Sequence, residues 1–112
     1  MTPRLTAEFW VQAYLARLRL AGIPAFVTSR GDATAGAVLV KLNTLDGRAQ
    51  AFNRSYDTSG ARVWVPLVAG DEAEVDAALA RQRGFDPDLW VIEVEMRPDD
   101  AELDQLFQGP AL

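Results

Sequence analysis

Carboxylates are the acid–base groups this chain has in number. It carries 16 Asp and Glu residues and neither histidine nor cysteine. Those two absences exclude zinc fingers, haem and iron–sulfur ligation, disulfides, thiol nucleophiles and any triad with a histidine base. What remains for hydrolytic chemistry is a pair of carboxyls. Glu93 and Glu95 share one face of an extended run, with Cβ atoms about 7 Å apart by strand rise. Two carboxyls at that separation can cooperate in hydrolysis. The plainer readings are that both lie on a solvated face, or that one pairs with Arg17. Arg17 falls between Trp10, Ala13 and Tyr14, away from the polar stripe of Glu8, Gln12 and Arg19. A charge there needs a carboxylate or a route to water. In an enzyme or small-ligand reading, a pocket between the first helix and the sheet would use Arg17 as anion anchor and Glu93 or Glu95 as base. Asp86, Asp88, Asp99 and Asp100 bracket prolines but lack the alternating ligand pattern of a calcium loop. No catalytic residue, metal or cofactor is assigned.

Arginine next to aromatic residues is the other feature with chemistry in it. If Val63, Val65 and Leu67 face inward, Trp64 faces outward beside Arg62, like the anchors of protein–protein contacts. Otherwise Trp64 is covered by the C-terminal tail, or is the inward residue of a shifted register. Phe52 shares its strand face with Arg48, Gln50 and Arg54, a surface that suits a partner protein or the stacked bases of a single strand. Arg30-Gly31-Asp32 matches a cell-adhesion tripeptide. It reads as a turn, with Gly31 supplying positive φ and Asp32 an Asx-turn. Gly31 to Gly36 has no Gly-Lys-Ser/Thr ending and is not a phosphate loop.

The elements that position these residues follow from periodicity. Thr6 to Ala21 has helical spacing, stopped by Gly22 and Pro24. Pro24–Ser29, Ala37–Asn43, Arg48–Tyr56 and Arg62–Val68 read as four strands of an antiparallel meander, with Asp46-Gly47 as a hairpin signal. Pro66 cannot donate to a ladder and marks an edge. Gly70 to Gly84 is a second helix, acidic at its start and basic at its end, with Val75, Ala78, Leu79 and Gln82 inward. Leu89–Met96 is a strand with Trp90, Ile92, Val94 and Met96 on one face. The expected fold is α+β: a mostly antiparallel sheet of about five strands with two main helices packed on one face. Residues 1–97 form one compact domain, and 98–112 a tail that is either a short helix with Leu103, Leu106 and Phe107 apolar or loosely held.

Three stretches taken together resemble a bacterial family of small proteins catalogued as a domain of unknown function, number 1491. They are Glu8-Phe-Trp-Val11 with its helix, Arg30 to Lys41, and Arg81 to Glu95. The resemblance runs from Arg4 to Glu95 and leaves the tail outside. It implies a single small domain, and no activity, cofactor or partner.

The 112 residues are 49% hydrophobic and 24% charged, as in an ordinary globular domain. The formal charge of -5 is unevenly spread. Residues 1–70 hold 4 acids and 8 bases, and residues 71–112 hold 12 acids and 3 bases. An acidic balance argues against duplex nucleic acid. No signal peptide or membrane span fits, which makes the cytoplasm the expected compartment. The leading functional expectation is a non-enzymatic interaction domain. It would bind a partner protein or a second copy through a sheet face or edge carrying Trp64, Arg62, Arg48, Arg54 and Phe52.

Overall fold

A computed structural model describes residues 6–56, 58–59, 62–100 and 106–107. Helix α1 spans Ala7–Leu20 and is capped by Thr6, whose hydroxyl accepts the Phe9 amide at 3.1 Å. Its Trp10, Val11, Tyr14, Leu15 and Leu18 are buried, the i, i+3, i+4 stripe of an amphipathic helix. Five strands follow: β1 (Ala25–Ser29), β2 (Val38–Asn43), β3 (Arg48–Tyr56), β4 (Arg62–Asp71) and, after helix α2 (Glu72–Phe85), β5 (Trp90–Glu95). The fold is α+β with a mixed, mostly antiparallel sheet.

The strand order is β1-β5-β2-β3-β4, so the four-strand meander is corrected to three strands, β2 to β4. β5 enters between β1 and β2, antiparallel to the first and parallel to the second. The reason is burial on two sides. Trp90, Ile92 and Val94 join one apolar cluster while Leu89 and Val91 join another, and a strand that is apolar on both faces belongs in the middle of a sheet. β1, of which only Ala25 is buried, takes the edge. β4, with Pro66, forms the other edge as its proline required.

The placement of both helices on one face is also corrected. Val38, Val40, Leu42 and Phe52 pack with α1, whereas Leu39, Ala49 and Ala51 pack with Val75 and Leu79 of α2. Residues alternating along one strand point to opposite faces, so α1 and α2 cover opposite sides of the sheet. Each side needs its own cover because the central strands are apolar on both. β4 runs to Asp71, three residues beyond the expected strand end at Val68, and α2 starts directly from it at Glu72. Val75 and Leu79 are its buried residues; Ala78 is half-buried and Gln82 exposed.

The Arg30–Ala37 loop holds β5 in place. Asp32 accepts the Thr34 and Ala35 amides on its carboxylate, and its own amide donates to the Asp88 carbonyl at 2.9 Å. Its carbonyl receives Trp90 Nε1 at 2.7 Å. A Cβ on Gly31 would come within 2.2 Å of the Asp88 oxygen, and one on Gly36 within 2.3 Å. The loop lies against the start of β5 because both positions lack a side chain, so Gly31 serves by close approach and not by the positive φ expected of it. In the β2–β3 turn, Leu45 and Gly47 take φ of 65° and 86°, where the Asp-Gly signal placed a reversal. Of the expected tail helix, Leu106 and Phe107 form a short 3₁₀ turn, and Leu103 lies outside the described residues. Among the described residues no helix is long and apolar enough to cross a membrane.

Candidate functional site

Trp10 and Tyr14, one helical turn apart on α1, stack at 4.8 Å between ring centroids and 15° between planes. Across from them, β3 and β4 pair in a register that sets Arg54 opposite Trp64. Trp64 lies 6.1 Å from Trp10 and 5.9 Å from Tyr14. The Arg54 guanidinium sits over both indoles, at 5.0 Å from Trp10 and 5.4 Å from Trp64, and Arg17 sits 5.5 Å over Tyr14. Such cation–π contacts are worth roughly 0.5–2 kcal/mol each, more as water is excluded.

Into this site comes the Leu106–Phe107 turn. The Tyr14 hydroxyl donates to the Leu106 carbonyl at 2.7 Å, and Trp64 Nε1 donates to the Phe107 carbonyl at 3.0 Å. Leu106 is buried among the residues of the α1 side, and the Phe107 ring stands edge-on to Phe52 at 5.1 Å. Trp10 Nε1 is buried and has no hydrogen-bond partner among the described residues. Burial pushes the Tyr14 phenol well above its ordinary value, against the opposing pull of Arg17 and Arg54. It therefore stays protonated and keeps its role as a donor.

The expected interaction residues divide. Phe52, Arg54 and Trp64 come together on the α1 face. Arg48 lies at the opposite end of β3, exposed and 3.5 Å from Asp71. Arg62 opposes Tyr56 in the β3–β4 register, and its side chain lies outside the described residues. The orientation of β4 is the inward one for Trp64. Val65 and Leu67 are instead exposed at 40% and 39%, because the aromatic pair on α1 offers the larger apolar surface to bury.

The pairing of Arg17 with Glu93 or Glu95 is corrected: the sheet stands between them. Trp90, Ile92 and Val94 face α1, so the intervening Glu93 and Glu95 face α2. Among the described residues, the cleft that Glu93 lines is not lined by Arg17. Glu93 belongs to a cluster that sequence reasoning missed. Lys41 on β2, its side chain 5% exposed, donates to Glu72 and Asp76 at 2.7 Å each and to Glu93 at 3.1 Å. The signal for it was present: Val38-Leu-Val-Lys41 and Trp90-Val-Ile-Glu93 each place a charge fourth in an apolar run, and the parallel register sets Lys41 against Glu93.

Burial disfavours the Lys41 charge, yet the hydrogen bonds of Asp76, Glu72 and Glu93 outweigh it and hold the ammonium above the usual lysine value. Through these contacts it latches α2 to the sheet. Beside it opens a cleft of about 220 Å³ lined by Thr28, Ser29, Asp76, Arg83 and Glu93. Arg83 there bonds the Arg30 and Pro87 carbonyls and so ties two loops. Among the described residues no group of three or more acidic side chains is arranged to hold a metal ion.

A family model described as a protein of unknown function, DUF1491, matches residues 5–104. The match runs past Glu95, where the resemblance was expected to stop. Among solved structures, the chain is similar to a DUF1491 family protein from Caulobacter crescentus CB15. The crystal structure aligns with a TM-score of 0.80 at 36% identity, over 96% of this chain and 98% of that one. The NMR structure aligns with a TM-score of 0.76 at 35% identity, over 97% of each. The solution structure of protein Atu0922 from A. tumefaciens aligns with a TM-score of 0.73 at 29% identity, over 97% of this chain and 98% of that one. No curated protein matches the chain.

Proposed function

Because the chain belongs to the DUF1491 family, whose description assigns no function, we propose a role from geometry: a non-enzymatic interaction domain that holds a polypeptide segment in the aromatic site between α1 and the β3–β4 hairpin. The observation that carries this reading is the hydrogen bond from Trp64 Nε1 to the Phe107 carbonyl, next to that from Tyr14 to the Leu106 carbonyl. Two side chains on different elements thus read two successive main-chain carbonyls, while Leu106 enters the apolar cluster on the α1 side and the Phe107 ring meets Phe52 and Trp64. Main-chain bonds with pockets for side chains are how proteins grip peptides, and Trp, Tyr and Arg are the residues on which such contacts concentrate their energy.

The segment belongs to a partner protein or to a second copy, and the lack of cysteine suits work in the reducing cytoplasm. The test uses the full chain carrying Leu106→Ala and Phe107→Ala, titrated with a fluorescein-labelled peptide of residues 98–112. Saturable binding is expected, weakened at least tenfold when Tyr14→Phe and Trp64→Phe are added. Those two changes keep the rings and remove the donors. Failure of the peptide to bind, or binding indifferent to the donors in a folded protein, overturns the reading.

A further inference from the structure

We infer that the Leu106–Phe107 turn is a resident pseudo-ligand that closes the aromatic site in cis, and that the site opens to an acidic partner segment carrying the same Leu-aromatic pair. This rests on the reading of the site as a peptide receptor and adds the regulation and the partner's chemistry.

Three observations carry it. The turn occupies the site as a ligand would, with both carbonyls engaged by Tyr14 and Trp64 and one side chain, Leu106, fully buried. Its partner side chain, Phe107, is only half covered, 40% exposed while touching Phe52 and Trp64 at their edges. The second ring position is therefore filled without being sealed. The charges are also complementary. Asp99, Asp100, Glu102 and Asp104 precede the pair in sequence, while the site carries Arg17 and Arg54 over its rings.

A tethered occupant acts at an effective concentration on the order of millimolar. It reduces the open fraction of sites, and the apparent affinity for anything in trans falls by that fraction. A free segment must be presented locally, or bind more tightly than the tail, to displace it. Its acidic residues would steer it to the arginine-bearing site, so its binding should weaken as salt rises.

The experiment compares the wild-type full chain with the Leu106→Ala/Phe107→Ala chain, using the labelled 98–112 peptide and a scrambled control at low and high salt. The substituted chain is expected to bind at least tenfold more tightly than wild type, and more weakly at high salt. Phe107→Ala alone, at a half-exposed position, gives a second variant should the double change impair folding, and is expected to fall between the two. Equal affinity of wild type and both variants would overturn the closure while leaving the receptor reading intact. Absence of binding by every folded variant would overturn the receptor reading itself. Binding of the scrambled peptide equal to that of the native one would remove the Leu-aromatic specificity.

Discussion

The Tyr14 hydroxyl meets the carbonyl of Leu106 at 2.7 Å, closing a contact between residues 92 apart in sequence. It joins the first helix to the last described turn, and with Trp64 and Phe107 it completes the aromatic side of the fold. A buried donor and acceptor satisfied in this way contribute modestly as a pair. They become costly when one is removed, since the other is left dry and unbonded.

Tyr14→Phe should therefore destabilise the chain by about 1–3 kcal/mol, the range for stranding a buried partner. Trp64→Phe, which strands a more exposed carbonyl, should cost less. Urea unfolding monitored by circular dichroism measures both, and a Tyr14→Phe midpoint equal to wild type would remove the structural weight placed on this bond.

Lys41→Met leaves Glu72, Asp76 and Glu93 facing one another without their cation. A loss of about 1.5–3 kcal/mol is expected, the range for hydrogen bonds to a charged group, since Lys41 is buried while Glu72 and Asp76 keep access to water. Restoring neutrality with Glu93→Gln in the same chain should recover part of it. Lys41 and Tyr14 both have raised values in the folded state. Their contribution is thus complete below the unfolded values of about 10. It is lost as pH rises beyond that, where the unfolded chain gives up protons the folded one keeps. Stability measured between pH 8 and 11 should be flat and then decline, and the decline should be shallower in Lys41→Met.

Two glycines should respond in opposite directions. Gly31→Ala drives a methyl into the Asp88 carbonyl and should cost about 1–3 kcal/mol or more through loop displacement. Gly84, inside α2 with open space where a Cβ would stand, should gain about 0.5–1 kcal/mol on change to Ala. Thermal midpoints of the two variants moving the same way would contradict these local environments.

Much of the fold was legible in short-range pattern. The Thr6 cap, the apolar stripe of α1, the Asp46-Gly47 reversal and the edge signal of Pro66 each act within a few residues, and each element lies where those signals put it. For the site, the signals were partial. Trp64, Phe52 and Arg54 stood out by type, but their common wall with Trp10 and Tyr14 depends on α1 packing on the sheet face that Phe52 and Trp64 share. Lys41 stood out less, since a lone lysine in a strand says nothing about which carboxylates will surround it.

By itself, the sequence determined which residues of each helix and strand share a face, because side-chain direction repeats every 3.6 or 2 residues regardless of what packs there. Only the tertiary structure decided which face meets which. The entry of β5 between β1 and β2 is a pairing of distant segments, driven by a strand that is apolar on both sides. That one insertion sends the helices to opposite faces, parts Arg17 from Glu93, and brings Glu93 to Lys41. Burial of Trp64 against α1 then leaves Val65 and Leu67 only partly covered and completes the aromatic site beside Leu106, an outcome set by competition among apolar surfaces for cover.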